Sequence, residues 1–265
     1  MGGATAYDVA SAFIKVRPSA LAEVFNDRVV LGGLVNGAIV VRADGVGFGK
    51  ALRKFASPRD ESVHKALLAA AEDVMRRFSA AAAHVVSDEV NILLLSPPYS
   101  GRVFKIVSVI ASMLSARVSL ELNTPLYFDA RVLGLKSAKE FVPYTLYRVR
   151  VGVNNFVSKL YHGALPKNVT PKLEEMVRVL KSRLVKWPAW ACGGTLISWS
   201  LAIKEGVNPI TGEHVRALRR VLVKHDVVNP EVVIRAVRES ISTLSLAGRG
   251  THGQARKKEV GEVTE

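Results

Sequence analysis

Three acidic residues punctuate apolar runs in this chain: Asp44 in ADGVGFGK, and Asp88 and Glu89 in SDEVNILLL. Carboxylates brought close together repel one another unless a cation neutralises them, and a hard divalent ion is the usual partner. Mg2+ takes one or two carboxylates, keeps several waters and uses substrate phosphates for the rest of its shell. Two such ions can activate an attacking hydroxyl and hold a triphosphate at once. Taken alone, Asp44-Gly45 and Asp88-Glu89 are ordinary turn dipeptides. Gly45, Gly47 and Gly49 would let backbone N–H groups approach a phosphate. They do not form a Walker A loop, because the spacing is one short and Ala51 stands where Ser or Thr is required. A plain flexible turn fits the same residues.

The elements that could bring the acids together lie in residues 37–135. Ala38 to Arg42 is a short apolar run, read as a buried strand ending in the turn Asp44-Gly45. Ser57, Pro58 and Asp60 suit the N-cap, first and third positions of a helix, which makes Asp60 a capping acid. Val63, Leu67, Ala70, Val74 and Phe78 follow at helical spacing. His84 to Val86 and Val90 to Leu95 flank Ser87-Asp88-Glu89 as a hairpin with two acids at its tip. Ser100 can cap a second helix with Val103, Ile106, Val107, Ile110 and Leu114 on one face, and Leu126 to Leu133 is a fourth strand.

Strand, helix, strand, strand, helix, strand is the split ferredoxin-like order: a four-stranded antiparallel sheet with two helices on one face. The same arrangement builds the palm of many nucleotide polymerases and cyclases, although a fold alone does not license that function. In it the first and third strands are central neighbours, so Asp44 meets Asp88 and Glu89 at one sheet edge. Arg102 and Lys105 fall in the first turn of the second helix, where positive charge opposes the helix dipole. That mismatch suits side chains reaching for a triphosphate, and a solvated basic turn equally.

Residues 137–246 read as mainly helical. Ser137 and Glu140 suit a capping box, Pro143 and Gly152 interrupt the helix that follows, and Leu173 to Leu184 is amphipathic and basic. Pro188 to Ser200 can supply a further strand, and a last helical region runs from Glu213 to Leu244 with a break at Asn229-Pro230. Ala247 to Glu265 has the composition of a disordered tail. The expected fold class is therefore α+β, with a palm-like catalytic domain at 1–136, a helical region at 137–246 that completes the site and contacts RNA, and a tail at 247–265.

The composition bounds the function. With 265 residues, 49% hydrophobic and 23% charged, the chain has globular values. One cysteine, Cys192, excludes an internal disulfide and a cysteine-based zinc cluster, and the six histidines form no H-x-x-x-H pair. A net charge of +14 attracts polyanions, nucleic acid first among them. The first twenty residues lack the apolar core of a secretory signal, and the longest apolar stretch, Ile106 to Ala116, is too short to span a bilayer. A cytoplasmic protein without a membrane partner is the expectation.

Five segments occur in an order that resembles the tRNA-His guanylyltransferase family, including its archaeal 3′–5′ polymerase members. They are RADGVGF (Arg42 to Phe48), SPRDESVHKAL (Ser57 to Leu67), SDEVNILL (Ser87 to Leu94), RVFKIVSVIAS (Arg102 to Ser112) and FDARV (Phe128 to Val132). VNNF (Val153 to Phe156) and WPAWACGGTL (Trp187 to Leu196) resemble its later motifs. The resemblance implies a Mg2+-dependent nucleotidyltransferase running in reverse: an RNA 5′ end, activated by adenylylation or as a triphosphate, is attacked by the 3′-hydroxyl of an incoming nucleotide. It implies that Asp44, the Gly45 carbonyl and Asp88 hold two Mg2+ ions, with Glu89 in support. Gly45, Val46, Gly47, Phe48, Asp60, Ser87, Arg102 and Lys105 would meet the nucleotide, and Asn154 and Asn155 the RNA. GTP and ATP would be substrates, tRNA the partner, and a homotetramer the assembly. The departures lie around the triad: Val46 replaces a usual Arg, Gly49 a His, Arg59 an Asn, Gly152 a His and Ser158 an Asn, while Ala191, Cys192 and Gly193 replace polar or basic residues.

Those departures, with the basic second half, leave a non-catalytic RNA-binding protein on the same fold as the competing reading. A nucleotide cyclase or dinucleotide synthase is a third, and the positive charge and the Arg102/Lys105 helix argue against it.

Overall fold

The computed structural model describes residues 3–164 and 171–250, with side chains as far as residue 245. In chain order the helices and strands begin with α1 (Ala6–Phe13), α2 (Pro18–Asn26), β1 (Val29–Val30), β2 (Ile39–Val46), α3 (Phe48–Ala51) and α4 (Glu61–Phe78). They continue with β3 (Ala82–Val86), β4 (Glu89–Leu94), α5 (Val103–Leu122), β5 (Tyr127–Gly134) and α6 (Phe141–Ala164). The last are α7 (Leu173–Val179), α8 (Lys181–Leu184), α9 (Ala189–Gly193), β6 (Thr195–Val207), β7 (His214–Asp226) and α10 (Pro230–Gly250).

The strands form one sheet in the order β1-β5-β2-β4-β3-β6-β7, antiparallel throughout. Its centre, β5-β2-β4-β3, is the expected ferredoxin-like arrangement, with β2 and β4 as adjacent middle strands. Strand alternation divides the core. Ile39, Val41 and Ala43 of β2 with Val90, Ile92 and Leu94 of β4 face α4 and α5, while Val40 and Leu93 face the layer of α1, α2, α6, α9 and α10. The N-terminal helices thus pack with the later helices on the second face.

Several local expectations shift. β2 runs two residues past Asp44, so Asp44-Gly45 is strand and not turn. Asp60, and not Ser57, caps α4: its carboxylate accepts from the Ser62 and Val63 N–H groups at 2.8 and 3.2 Å. Ser100 does not cap α5. It lies in a short 3-10 turn, and the Val103 N–H donates to the Gly33 carbonyl at 3.0 Å instead. The Ser137–Glu140 capping box is absent, because Glu140 accepts from Arg28 Nη1 and the Lys136 N–H. α6 is continuous. Pro143 sits in its first turn, where no N–H is needed, and a Cβ on Gly152 would come within 2.6 Å of Val86 Cγ2, so the glycine serves close packing on β3.

The largest correction lies between Glu213 and Leu244. Residues 214–226 are strand β7, paired in thirteen rows with β6, and the helix begins only at Pro230. The spacing of Val215, Leu218 and Leu222 suits a helix locally, but the ladder to β6 satisfies the backbone and joins β7 to the sheet. Residues 247–250 of the expected tail continue α10, and 251–265 lie outside the described residues. α5 is 20 residues with a mean hydropathy of 1.7, long and apolar enough to cross a membrane by length and composition. Here Val103, Ile106, Ile110, Leu114 and Val118 pack its inner face onto the sheet.

Candidate active site

The two central strands bring the acids together. Asp44 is in register with Glu89 on β4 and with Asp129 on β5. Ser87 takes a positive φ of 61° in the two-residue turn between β3 and β4, and the Gly45 N–H donates to the Asp88 carbonyl at 3.1 Å. That bond ties the hairpin tip to the end of β2. Gly45 has no room for a side chain, since a Cβ would lie 2.5 Å from the Phe48 ring, and Gly47 turns the chain at φ 67° so that Phe48 folds back into the core. Val46 remains half exposed.

The electrostatics separate the three carboxylates. Asp44 titrates above the ordinary aspartate value because burial, and then Asp88 and Glu89, disfavour its charge, with Arg42 working against them. No described residue forms an ion pair with Asp88. Glu89 is the opposite case. Burial alone would raise its pKa, but Arg148 and Arg42 outweigh it and hold Glu89 below the usual range. Arg148 Nε donates to Glu89 Oε1 at 2.8 Å, and Arg148 Nη2 and Arg42 Nε donate to Oε2 at 2.5 and 2.7 Å. Asn91 Nδ2 also donates to Oε1, and Tyr144 Oη to Asn91 Oδ1. Every acceptor of Glu89 is engaged, so it braces the site from behind, whereas Asp44 and Asp88 remain to bind. Among the described residues no three His, Cys, Asp or Glu side chains form a metal cage. Asp44, whose Oδ2 lies 3.9 Å from Arg42 Nη2, Asp88 and the backbone of Gly45 suit an ion that completes its shell from water and phosphate.

A cavity of about 400 Å3 opens beside Asp88, lined by α3, the segment leading into α4, and parts of α6 and α9. Phe48, Leu52 and Phe55 supply apolar wall, and Asp60 lines it while its oxygens are taken up in capping. His64 stacks on Trp190 with ring centres 4.5 Å apart. The Thr195 hydroxyl donates to Asp226 Oδ1 at 3.0 Å, so His64 Nε2, 2.9 Å from the same hydroxyl, is the donor to it. Burial pushes His64 down to about 3, so the imidazole is neutral. Sequence reasoning passed over His64, Trp190 and Asp129. All three fell within resembling segments, but only the fold stacks α4 against α9 and sets Asp129 beside Asp44.

Asn154 and Asn155 lie on α6. Asn154 Oδ1 accepts from Arg150, while Asn155 is exposed and lines a shallower cavity of about 530 Å3 that shares Ser57 and Lys159 with the first. Arg102 and Lys105 are not brought to the acids. They follow β4 at its Leu94 end, so the six residues of that strand, about 20 Å, separate them from Asp44 and Asp88 within one chain. Arg102 Nε donates to the Tyr99 carbonyl and Lys105 Nζ lies 4.8 Å from the Tyr99 ring centre.

Residues 26–141 match the family model for tRNAHis guanylyltransferase. No curated protein matches the chain as a sequence. Among solved structures, a bacterial tRNA(His) guanylyltransferase-like protein in complex with ATP superposes with a TM-score of 0.63 at 20% identity, covering 83% of this chain and 98% of that one. The GTP complex of such a bacterial protein gives 0.60 at 19%, over 83% and 97%. The tRNA(His) guanylyltransferase of Saccharomyces cerevisiae gives 0.51 at 21%, over 64% and 89%. At these identities the superpositions establish a shared fold. The profile match to the tRNAHis guanylyltransferase family model covers residues 26–141, the part of the chain that contains the strands carrying Asp44 and Glu89 and the turn carrying Asp88.

Proposed function

We propose that this chain is a Mg2+-dependent 3′–5′ nucleotidyltransferase that adds a nucleotide, G by preference, to the 5′ end of tRNA. The observation that carries the reading is the juxtaposition of Asp44 and Asp88, both without a full cationic partner, at the mouth of β2 and β4 beside a nucleoside-sized cavity. Asp44, Asp88 and the Gly45 carbonyl would hold two Mg2+ ions, which when bound supply Lewis-acid stabilisation of the triphosphate and of the attacking hydroxyl. Phe48 and the His64–Trp190 stack give the nucleoside an apolar, planar surface, and the enclosed wall excludes water from its base. Glu89 acts through its arginines, keeping the hairpin tip in register with Asp44. The second cavity, with Asn155 and Lys159 on its wall, suits the RNA end or a second nucleotide.

The test is transfer of labelled GTP to tRNA-His and to tRNAs shortened at the 5′ end, with and without ATP. Label should appear in RNA, require Mg2+ and vanish in Asp88→Asn at unchanged melting temperature. Salt-sensitive tRNA binding with no label transfer would instead support the non-catalytic reading.

A further inference from the structure

A nucleotide in the cavity beside Asp88 brings its phosphates with it. Two carboxylates and a triphosphate carry about two negative charges more than a pair of divalent ions neutralises, so the chain itself must supply cations. Arg102 and Lys105 line neither cavity. Arg59 lines the first, but its Nη1 donates to the Pro58 carbonyl at 3.0 Å and its Nε and Nη2 are shut away from solvent. His64 on the same wall is neutral. Two cationic side chains there remain open to a ligand: Arg53, in the turn after α3, and Lys159 on α6. Both are exposed, and neither forms an ion pair with a described residue. Lys159 also lines the second cavity, so it stands on the wall that the two share.

We infer that Arg53 and Lys159 are the phosphate-binding residues of this site. Arg53 holds the triphosphate of the nucleotide beside Asp88, and Lys159 meets phosphate bound in either cavity. The chemistry of the two side chains suits that division. A guanidinium is a rigid fork that engages two oxygens of one phosphate chain, while an ammonium is a compact charge with three donors on a flexible stem. The two residues lie far apart in sequence, and the fold sets both on one cavity wall with Asp88. A solvated basic surface would offer the same charge without a site, and the measurement below separates the two.

The inference rests on the cavity being the nucleotide site, so four ligands are measured on the full chain at one salt concentration: GTP, guanosine, and a short RNA with a 5′-phosphate or a 5′-hydroxyl. Wild type should prefer the phosphorylated member of each pair. Arg53→Gln should weaken GTP by about tenfold, the scale of one charge-assisted hydrogen bond, and leave guanosine and both RNAs unchanged. Lys159→Gln should weaken GTP and the 5′-phosphorylated RNA by a similar factor and leave guanosine and the 5′-hydroxyl RNA unchanged. Lys54→Gln removes the same charge beside Arg53, at an exposed position that lines neither cavity, and should bind all four as wild type does. Melting temperatures establish that the three variants are folded. Undiminished GTP binding in Arg53→Gln and Lys159→Gln, an equal loss in Lys54→Gln, or a loss shared by guanosine overturns the inference and leaves the nucleotide site standing. Absence of any nucleotide binding by wild type removes the site itself, and the inference with it.

Discussion

Arg148 on α6 holds Glu89 on β4 side-on, Nε to Oε1 at 2.8 Å and Nη2 to Oε2 at 2.5 Å, across 59 positions of sequence. The pair joins the helical layer to the end of the sheet that carries Asp44 and Asp88, and the Glu89 carboxylate is buried. Removing Arg148 leaves the buried Glu89 carboxylate with Arg42 as its remaining cationic partner among the described residues. Arg148→Met should therefore lower stability by about 3–5 kcal/mol, and Arg148→Met with Glu89→Gln should recover most of it. Urea denaturation of the three proteins checks this; equal losses in single and double variants would show that Arg148 contributes only packing.

Asp44 has its pKa raised, so its ionised form opposes folding and its contribution falls as pH rises through the folded value. Asp44→Asn should then melt higher than wild type at neutral pH in EDTA, yet lose about 100-fold or more in nucleotide transfer, the scale of removing one preorganised electrostatic group. Mg2+ at about 100 times its Kd should stabilise wild type by about 2.7 kcal/mol and the variant by much less.

The two buried histidines predict acid lability. His64 and His84 are pushed down to about 3 and about 4 by burial, against 6.5 when free. The unfolded chain therefore binds protons that the folded one does not. Stability is complete above 6.5 and falls as pH drops below it, by about 2 kcal/mol per histidine at pH 5 from ~1.4 kcal/mol per pH unit. Urea unfolding between pH 7 and 5 should show this slope, and His64→Phe, which keeps a ring against Trp190, should reduce it by about one proton. An unchanged slope would mean that His64 titrates normally.

Gly152 is required by contact. A Cβ there meets Val86 Cγ2 at 2.6 Å, and α6 cannot withdraw without moving Arg148. Gly152→Ala should destabilise by about 1–3 kcal/mol through overpacking, despite alanine's better helix propensity. Val86→Ala in the same chain should relieve part of that loss.

How much was legible in advance follows from which interactions are local. Capping, alternation and helical spacing act within a few residues, so the strand and helix order of residues 37–135 could be read directly, and with it the meeting of Asp44 with Asp88 and Glu89 on neighbouring strands. Local signals also misled. The spacing in 214–226 suits a helix until β6 offers a ladder, and Asp60 and Ser57 compete for one cap that only backbone geometry awards.

The sequence by itself determined the central sheet, the acidic pair at its edge and the basic character of the whole, because these depend on periodicity, strand order and composition. Only the tertiary structure decided that Glu89 is enclosed by Arg42 and Arg148 and that Arg59 lines the cavity with two unmet donors. A residue's charge is written in its identity, but whether that charge is paired, buried or free depends on partners that distant segments bring to it.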